Sequence, residues 1–183
     1  MKKLHLGCGK RYLPGYLHVD IDEFDHIDVV TNIENLDMFE SETIDEIYAS
    51  HVLEYFDVSE VVNVLIEWKR VLKQGGLLRL AVPDFSNLVK LYSEHLDIKK
   101  VIGPIIGRWE ISKNRTIYHK NIFDEKSLKS LLEENGFGNT RLWNIKEIQT
   151  IDKEYDDHSM AFYPQFDFKN GLHLSLNLIT EKL

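Results

Sequence analysis

Two hydrophobic rhythms run along this chain. Short apolar runs bounded by Gly, Pro, Asn or Asp fill the first half and predict strands. These are Lys3–Leu6, ending at a glycine turn; Tyr16–Asp20, with an acid at its C-terminal end; His26–Val30; and Thr43–Ala49. Between the last two, NIENLDMF reads as a loop or short helical turn. From about Ser59 to Lys73 the apolar positions Val61, Val62, Val64, Leu65, Trp68, Val71 and Leu72 step by three and four, the signature of an amphipathic helix. Asp57 or Ser59 is placed to cap it, and Gly75-Gly76 to end it.

The run Leu77–Val82 is almost continuously apolar, as a strand in the middle of a parallel sheet must be. Pro83 stops it, and Asp84 or Ser86 opens a helix that runs to about His95. Residues 96–123, with Gly103, Pro104, Gly107 and the polar stretch SKNRTIYHKN, read as a covering segment rather than a sheet element. A helix follows over 124–136, with a capping acid and a terminal glycine. Strands are expected at Thr140–Asn144 and Leu172–Ile179, as a final, antiparallel pair. Strand and connection alternate through the first half, which makes this an α/β layered sheet.

Composition narrows the classes. The chain has 183 residues, 43% hydrophobic and 28% charged, enough for one domain with a full core. A net charge of −8 argues against non-specific nucleic-acid binding, which needs clustered Lys and Arg. The single cysteine, Cys8, excludes an intrachain disulfide and a cysteine-based zinc site, and suits the cytoplasm. No apolar run has the length of a signal peptide core or a membrane helix.

The chemistry begins at LGCGK. Gly7-Cys8-Gly9 falls at the carboxyl end of the first strand, where open α/β sheets bind ligands. Asp20 ends the next strand, where a carboxylate can accept from both hydroxyls of a ribose; the plainer reading is a tight turn and a solvated acid. A dinucleotide fingerprint needs a third glycine and a helix for the pyrophosphate. Here Tyr12 stands in the glycine's place and Pro14-Gly15 interrupts the short path to Asp20. That disfavours NAD and FAD and favours a ligand with a ribose but no pyrophosphate.

LHLGCGK, HVDID, DEIYASHVLEYF and VLKQGGLLRLAVPDF, in this order, resemble the successive motifs of class I S-adenosylmethionine-dependent methyltransferases. IFDEKSLKSLLEENGF, DDHSMAF and HLSLNLI extend the likeness toward a small bacterial subgroup associated with polysaccharide biosynthesis. The resemblance implies a Rossmann-like three-layer sandwich: a seven-stranded, mostly parallel sheet in the order 3-2-1-4-5-7-6, with the last strand antiparallel. It also implies a single methyltransferase domain over 1–183, with 96–123 covering the substrate. S-adenosylmethionine would be the cofactor and S-adenosylhomocysteine the product.

Residue by residue, Gly7, Cys8 and Gly9 would lie under the methionine part. Asp20 would hold the ribose, Ile21 the adenine face, and Asn32 and Ile33 the adenine edge. Ala49, Ser50 and His51 would sit beside the sulfonium. The acceptor would be a small molecule or saccharide, with no nucleic acid or membrane and no metal.

Methyl transfer from a sulfonium needs alignment first, and a general base only for a hydroxyl or protonated amine. His51 and His119 are the candidate bases; each has a plainer reading, as a helix-start packing residue and a loop residue. Glu54, three residues after His51, is placed to orient it or to meet an amino group. Asp156-Asp157-His158 suits a metal half-site or an acid–base cluster, and equally a polar loop. Trp109, Tyr118, Phe162 and Tyr163 are candidates to stack on a sugar or ring. Lys113, Arg115 and Lys120 form a modest basic cluster suited to a phosphorylated substrate, or a solvated loop. Two other classes remain open: a catalytically silent cofactor-binding protein acting in an assembly, and a nicotinamide oxidoreductase.

Overall fold

The computed structural model describes residues 1–112 and 115–183. In chain order the elements are β1 (Lys3–Leu6), β2 (Leu17–Asp20), β3 (Val29–Val30), β4 (Ile44–Ser50), α1 (Glu60–Val71), β5 (Leu72–Pro83), α2 (Phe85–His95) and α3 (Ile102–Ile106). Then come β6 (Trp109–Ser112), β7 (Arg115–Ile117), α4 (Glu125–Glu134), β8 (Phe137–Leu142), α5 (Lys146–Gln149), β9 (Phe162–Tyr163), β10 (Leu172–His173) and β11 (Ser175–Lys182). Short 3-10 turns lie at Leu53–Tyr55, Ile98–Lys100 and His158–Met160.

Seven strands form one sheet in the order β3-β2-β1-β4-β5-β11-β8. The first five pair in parallel, and β11 runs antiparallel to both β5 and β8. This is the expected order, a Rossmann-like sheet with its last strand reversed.

The two faces of the sheet differ because side chains alternate along each strand. Leu4 and Leu6 of β1, Ile47 and Ala49 of β4, and Leu78, Leu80 and Val82 of β5 point one way. They pack on Val61, Val64, Leu65 and Trp68 of α1 and on Leu128 and Leu132 of α4. The opposite face carries Lys3, His5, Glu46, Tyr48 and Arg79. Among the described residues no long helix packs in the core on this face. The Leu13–Tyr16 turn, Trp143, Ile148 of α5 and Tyr155 close over it instead. Glu46 is buried there and paired by Lys3 at 2.9 Å and Arg79 at 3.1 Å, with Tyr16 Oη donating to it at 3.0 Å. These contacts offset the cost of taking the carboxylate out of water.

Element ends follow local chemistry. Asp57 caps α1: its Oδ1 accepts from Ser59 N at 2.8 Å and Glu60 N at 3.0 Å, while Glu60 Oε2 accepts from Asp57 N at 2.9 Å. Asp84, not Ser86, caps α2, and Asp124 and Ser127 cap α4 reciprocally.

Four boundaries depart from expectation. Helix α1 stops at Val71, before Gly75-Gly76, because Leu72 already pairs with Ile44; the glycines take up the register shift before Leu77 pairs with Glu46. β3 is reduced to Val29–Val30. β8 starts at Phe137, straight after the positive-φ Gly136, and ends before Trp143, whose side chain turns into the second core. Leu172–His173 pairs with Phe162–Tyr163 rather than extending β11. Within 96–123 the chain forms α3 and a β6–β7 hairpin separate from the main sheet.

Candidate functional site

The carboxyl ends of β1, β2 and β4 open into a cleft of about 1580 Å³. Gly7, Cys8, Gly9, Asp20, Ile21, Asn32, Ile33, Ser50, His51 and His119 all line it. Ala49 does not: its side chain is buried in the main core behind the site.

The glycine loop is held from both sides. Gly7 N donates to Val19 O at 2.8 Å. Gly9 N donates to Asp20 Oδ2 at 2.7 Å, and Asp22 N to Asp20 Oδ1 at 2.9 Å. Asp20 therefore ties the loop after β1 to the loop after β2, and each carboxylate oxygen keeps a second lone pair. Gly7 has φ +60°, and a Cβ there would meet Val52 Cγ1 at 2.3 Å. At Gly9, φ +54°, an added Cβ would enter open space. Burial, and then the charge of Asp20, push the Cys8 thiol up to about 12. It stays protonated and is no nucleophile.

Along the rim, Ile21 is exposed to the cleft. The indole of Trp68 donates to Ile33 O at 2.8 Å, so α1 sets the height of the Asn32–Ile33 backbone. The Asn32 amide nitrogen donates to Glu34 Oε1 at 2.7 Å.

Beside the glycine loop, after the neighbouring strand β4, stands a histidine cluster. His51 has φ +54°. Its Nδ1 lies 3.3 Å from Glu54 Oε1 and its Nε2 lies 3.0 Å from Ser175 Oγ. His119 Nε2 reaches the same Glu54 oxygen at 3.6 Å, and its Nδ1 meets Pro104 O at 2.9 Å. Burial lowers the His119 pKa, with Glu54 working against it. Ser50 Oγ is buried and makes no hydrogen bond among the described residues.

Asp156, Asp157 and His158 do not act as one cluster. Arg11 Nε donates to Asp156 O at 2.7 Å. His158 faces His51, with ring centroids 5.4 Å apart. Asp157 enters a polar network that pattern reading missed: its Oδ2 accepts from Tyr48 Oη and, at 3.0 Å, from Tyr155 Oη, and its Oδ1 from Ser159 N at 2.8 Å. Burial opposes ionisation of Asp157, but the Ser159 and Tyr48 hydrogen bonds hold its pKa below the usual value. His5 lies beneath, its ring centroid 5.1 Å from that of Tyr48. The signal for Tyr48 was the alternation Glu46, Tyr48, Ser50, which marks a polar face on the strand. The partners it meets are more than a hundred residues away, and no local pattern points to them.

Of the aromatic candidates, Trp109 and Tyr118 line the cleft. Phe162 stacks on His173 and Tyr163 takes up Lys100. In the basic cluster, Arg115 lines the cleft and Lys120 pairs with Glu60 at 2.8 Å. Lys113 lies outside the described residues.

Residues 19–80, from β2 through most of β5, match the model of a methyltransferase domain family. Solved structures carry the likeness across the whole chain. A methyltransferase dependent on S-adenosylmethionine from Archaeoglobus fulgidus aligns at TM-score 0.58 and 17% identity, covering 99% of this chain and 86% of its own. One from Thermotoga maritima aligns at 0.60 and 15%, covering 100% and 82%.

This is the S-adenosylmethionine-dependent methyltransferase fold.

A third structure with the same fold is the 1,6-didemethyltoxoflavin-N1-methyltransferase of Burkholderia thailandensis, with bound 1,6-didemethyltoxoflavin and S-adenosylhomocysteine. It aligns at TM-score 0.57 and 16% identity, covering 98% of this chain and 70% of its own. No curated protein matches the sequence. Among the described residues, no helix is long and apolar enough to cross a membrane.

Proposed function

We propose that this protein transfers a methyl group from S-adenosylmethionine to a small-molecule or saccharide acceptor, releasing S-adenosylhomocysteine. The observation that carries the reading is the Gly9–Asp20 junction at the carboxyl ends of β1 and β2, inside a methyltransferase fold. The cleft fits such a cofactor on three further counts. Gly9 leaves open space at its Cα, Asp20 keeps free lone pairs, and Ser50 Oγ has no hydrogen bond among the described residues.

Gly7, Cys8 and Gly9 would run under the methionine part, and Asp20 would accept from the ribose hydroxyls. Ile21 would pack on the adenine, with Asn32 and Ile33 along its edge. Ser50 would face the methionine end, with Ala49 backing it from the core. The cofactor supplies an electrophilic methyl carbon on a sulfonium with a neutral leaving group. The chain's own work is then alignment and exclusion of water. Where the acceptor is a hydroxyl or protonated amine, His51 or His119 would take its proton.

The segment 96–123 would cover the acceptor, since α3 and the β6–β7 hairpin form one wall of the cleft. Trp109 and Tyr118 on that wall suit a saccharide or planar ring. A single domain over 1–183, a cytoplasmic location and a place among polysaccharide-biosynthesis enzymes complete the proposal.

Calorimetric titration with S-adenosylmethionine and S-adenosylhomocysteine, with NADH as control, tests it. Binding of the first two alone supports the reading and moves the search to acceptors. Binding without methyl loss to any acceptor would point to a silent cofactor-binding protein. Absence of binding by a folded protein overturns the proposal, and a response to NADH alone would replace it with oxidoreductase chemistry.

A further inference from the structure

Glu54 is 1% exposed, and neither of its carboxylate oxygens has a hydrogen bond among the described residues. An ionised carboxylate so placed is costly unless something supplies protons or positive charge. The ionisable groups nearest it are His51 Nδ1, 3.3 Å from Oε1, and His119 Nε2, 3.6 Å from the same oxygen. Whether those nitrogens carry protons follows from what holds the far side of each ring.

His119 Nδ1 is 2.9 Å from the Pro104 carbonyl, which only accepts, so Nδ1 must carry a hydrogen. In the neutral ring, Nε2 is then a bare lone pair facing Glu54. His51 is fixed by a longer chain. Asn177 Nδ2 donates to Ser159 O at 3.0 Å, which turns Asn177 Oδ1 toward Ser175. Ser175 has one hydroxyl hydrogen and two carbonyl oxygens to give it to, Asn177 Oδ1 at 2.8 Å and Val82 O at 3.4 Å. Its Oγ can then only accept from His51 Nε2, at 3.0 Å. So His51 carries its hydrogen on Nε2, and Nδ1 too is bare toward Glu54. Three acceptor atoms converge with no donor among them.

We propose that His51, Glu54 and His119 bind one shared proton, and that Glu54 is the positioning residue through which this proton fastens the covering segment over the cleft. The segment reaches the same residue through its backbone: Lys120 N and Asn121 N donate to Glu54 O at 2.8 and 3.1 Å. Tyr55 Oη donates to Gly107 O at 3.0 Å, and its ring stands edge-on to His119. Gly107, at φ +55°, leaves no room for a Cβ, which would meet His119 at 2.0 Å. The docking is therefore built around the His119 ring.

Burial lowers the His119 pKa, with the charge of Glu54 opposing it. Other titratable groups around the trio are Tyr55 beside Glu54, His158 and His173 near His51, and Asp157 against His158. Lys120 is engaged by Glu60. As pH rises the trio loses its proton, three lone pairs face one another, and the segment loosens.

The inference concerns the protein without ligand, so its test does not depend on the methyl-transfer reading. Long-range proton–nitrogen NMR spectra of the histidines assign their tautomers, and amide hydrogen exchange of residues 103–112 and 115–121, corrected for intrinsic rates, follows docking against pH. The expected result is His51 as the Nε2–H tautomer and His119 as Nδ1–H when neutral. Protection of the segment should fall as pH rises. Glu54→Gln brings its own N–H donors to both rings, so docking should persist and its pH dependence should vanish. Two results overturn the proposal: the Nδ1–H tautomer at His51, or a docking midpoint that E54Q shifts by less than about one pH unit. Should E54Q not fold, the wild-type tautomers decide alone. Zinc binding at one equivalent, displacing the titration in wild type, would assign the three lone pairs to a metal and overturn the shared proton.

Discussion

Asp20 carries the most at the scale of a single residue. It ends β2, accepts from two backbone amides and still faces the cleft. Asp20→Ala removes charge-assisted hydrogen bonds, so S-adenosylmethionine affinity should fall by about 1–3 kcal/mol. Calorimetry on the folded variant checks this, and unchanged affinity would refute the ribose assignment. Gly7 answers a different constraint. Its positive φ and the Val52 contact both forbid a side chain, so Gly7→Ala should destabilise the fold by about 1–3 kcal/mol, read as a lower melting temperature. Both residues were legible in the sequence because their constraints are local: a strand end, a tight turn, a carboxylate where strands present ligands. Ser175 and Asn177 were not legible, since their importance lies in the hydrogen-bond chain they bring to His51 Nε2 from the far end of the sequence.

Among the elements, α1 does more than cover the sheet. The Trp68 indole holds the Ile33 carbonyl, and Glu67 Oε1 accepts from Leu36 N at 2.9 Å, so the rim loop is hung from the helix. Trp68→Phe keeps most of the buried ring and leaves that carbonyl without its donor. It should cost about 1–3 kcal/mol of stability and weaken cofactor binding through Ile33. Paired denaturant melts and calorimetry separate the two effects; a variant with unaltered stability would show that the bond is replaced by water. The apolar steps of three and four identified α1, but its end was misplaced. Gly75-Gly76 looks like a helix stop because glycine supplies positive φ; in the fold that φ serves the bend at the start of β5.

For the whole molecule, the second face of the sheet sets the response to acid. Burial lowers the His5 pKa from 6.5 to about 3, with Asp157 opposing. Unfolded His5 takes up a proton below 6.5 that the folded form refuses until about 3, so stability present above that window is lost as pH falls through it. Asp157, whose folded pKa is depressed, acts in the same direction at lower pH. Melting temperature should therefore drop steeply between pH 6 and 4, and His5→Gln should flatten that slope even if it lowers stability at pH 7. A slope that His5→Gln leaves unaltered would move the acid sensitivity elsewhere.

The sequence by itself determined the strand–helix alternation, the glycine turn with its acid, and the helix that covers the main core. Each rests on contacts within a few residues or on a periodicity that burial imposes on one face. Only the tertiary structure decided the rest. It placed Ala49 behind the cleft rather than in its wall, scattered Asp156, Asp157 and His158 among three different partners, and converged His51 and His119 on Glu54. Those outcomes depend on which distant segments close over the sheet and which hydrogen-bond partners they bring. Residue spacing carries no record of that, because a buried polar group is satisfied by whatever reaches it in space.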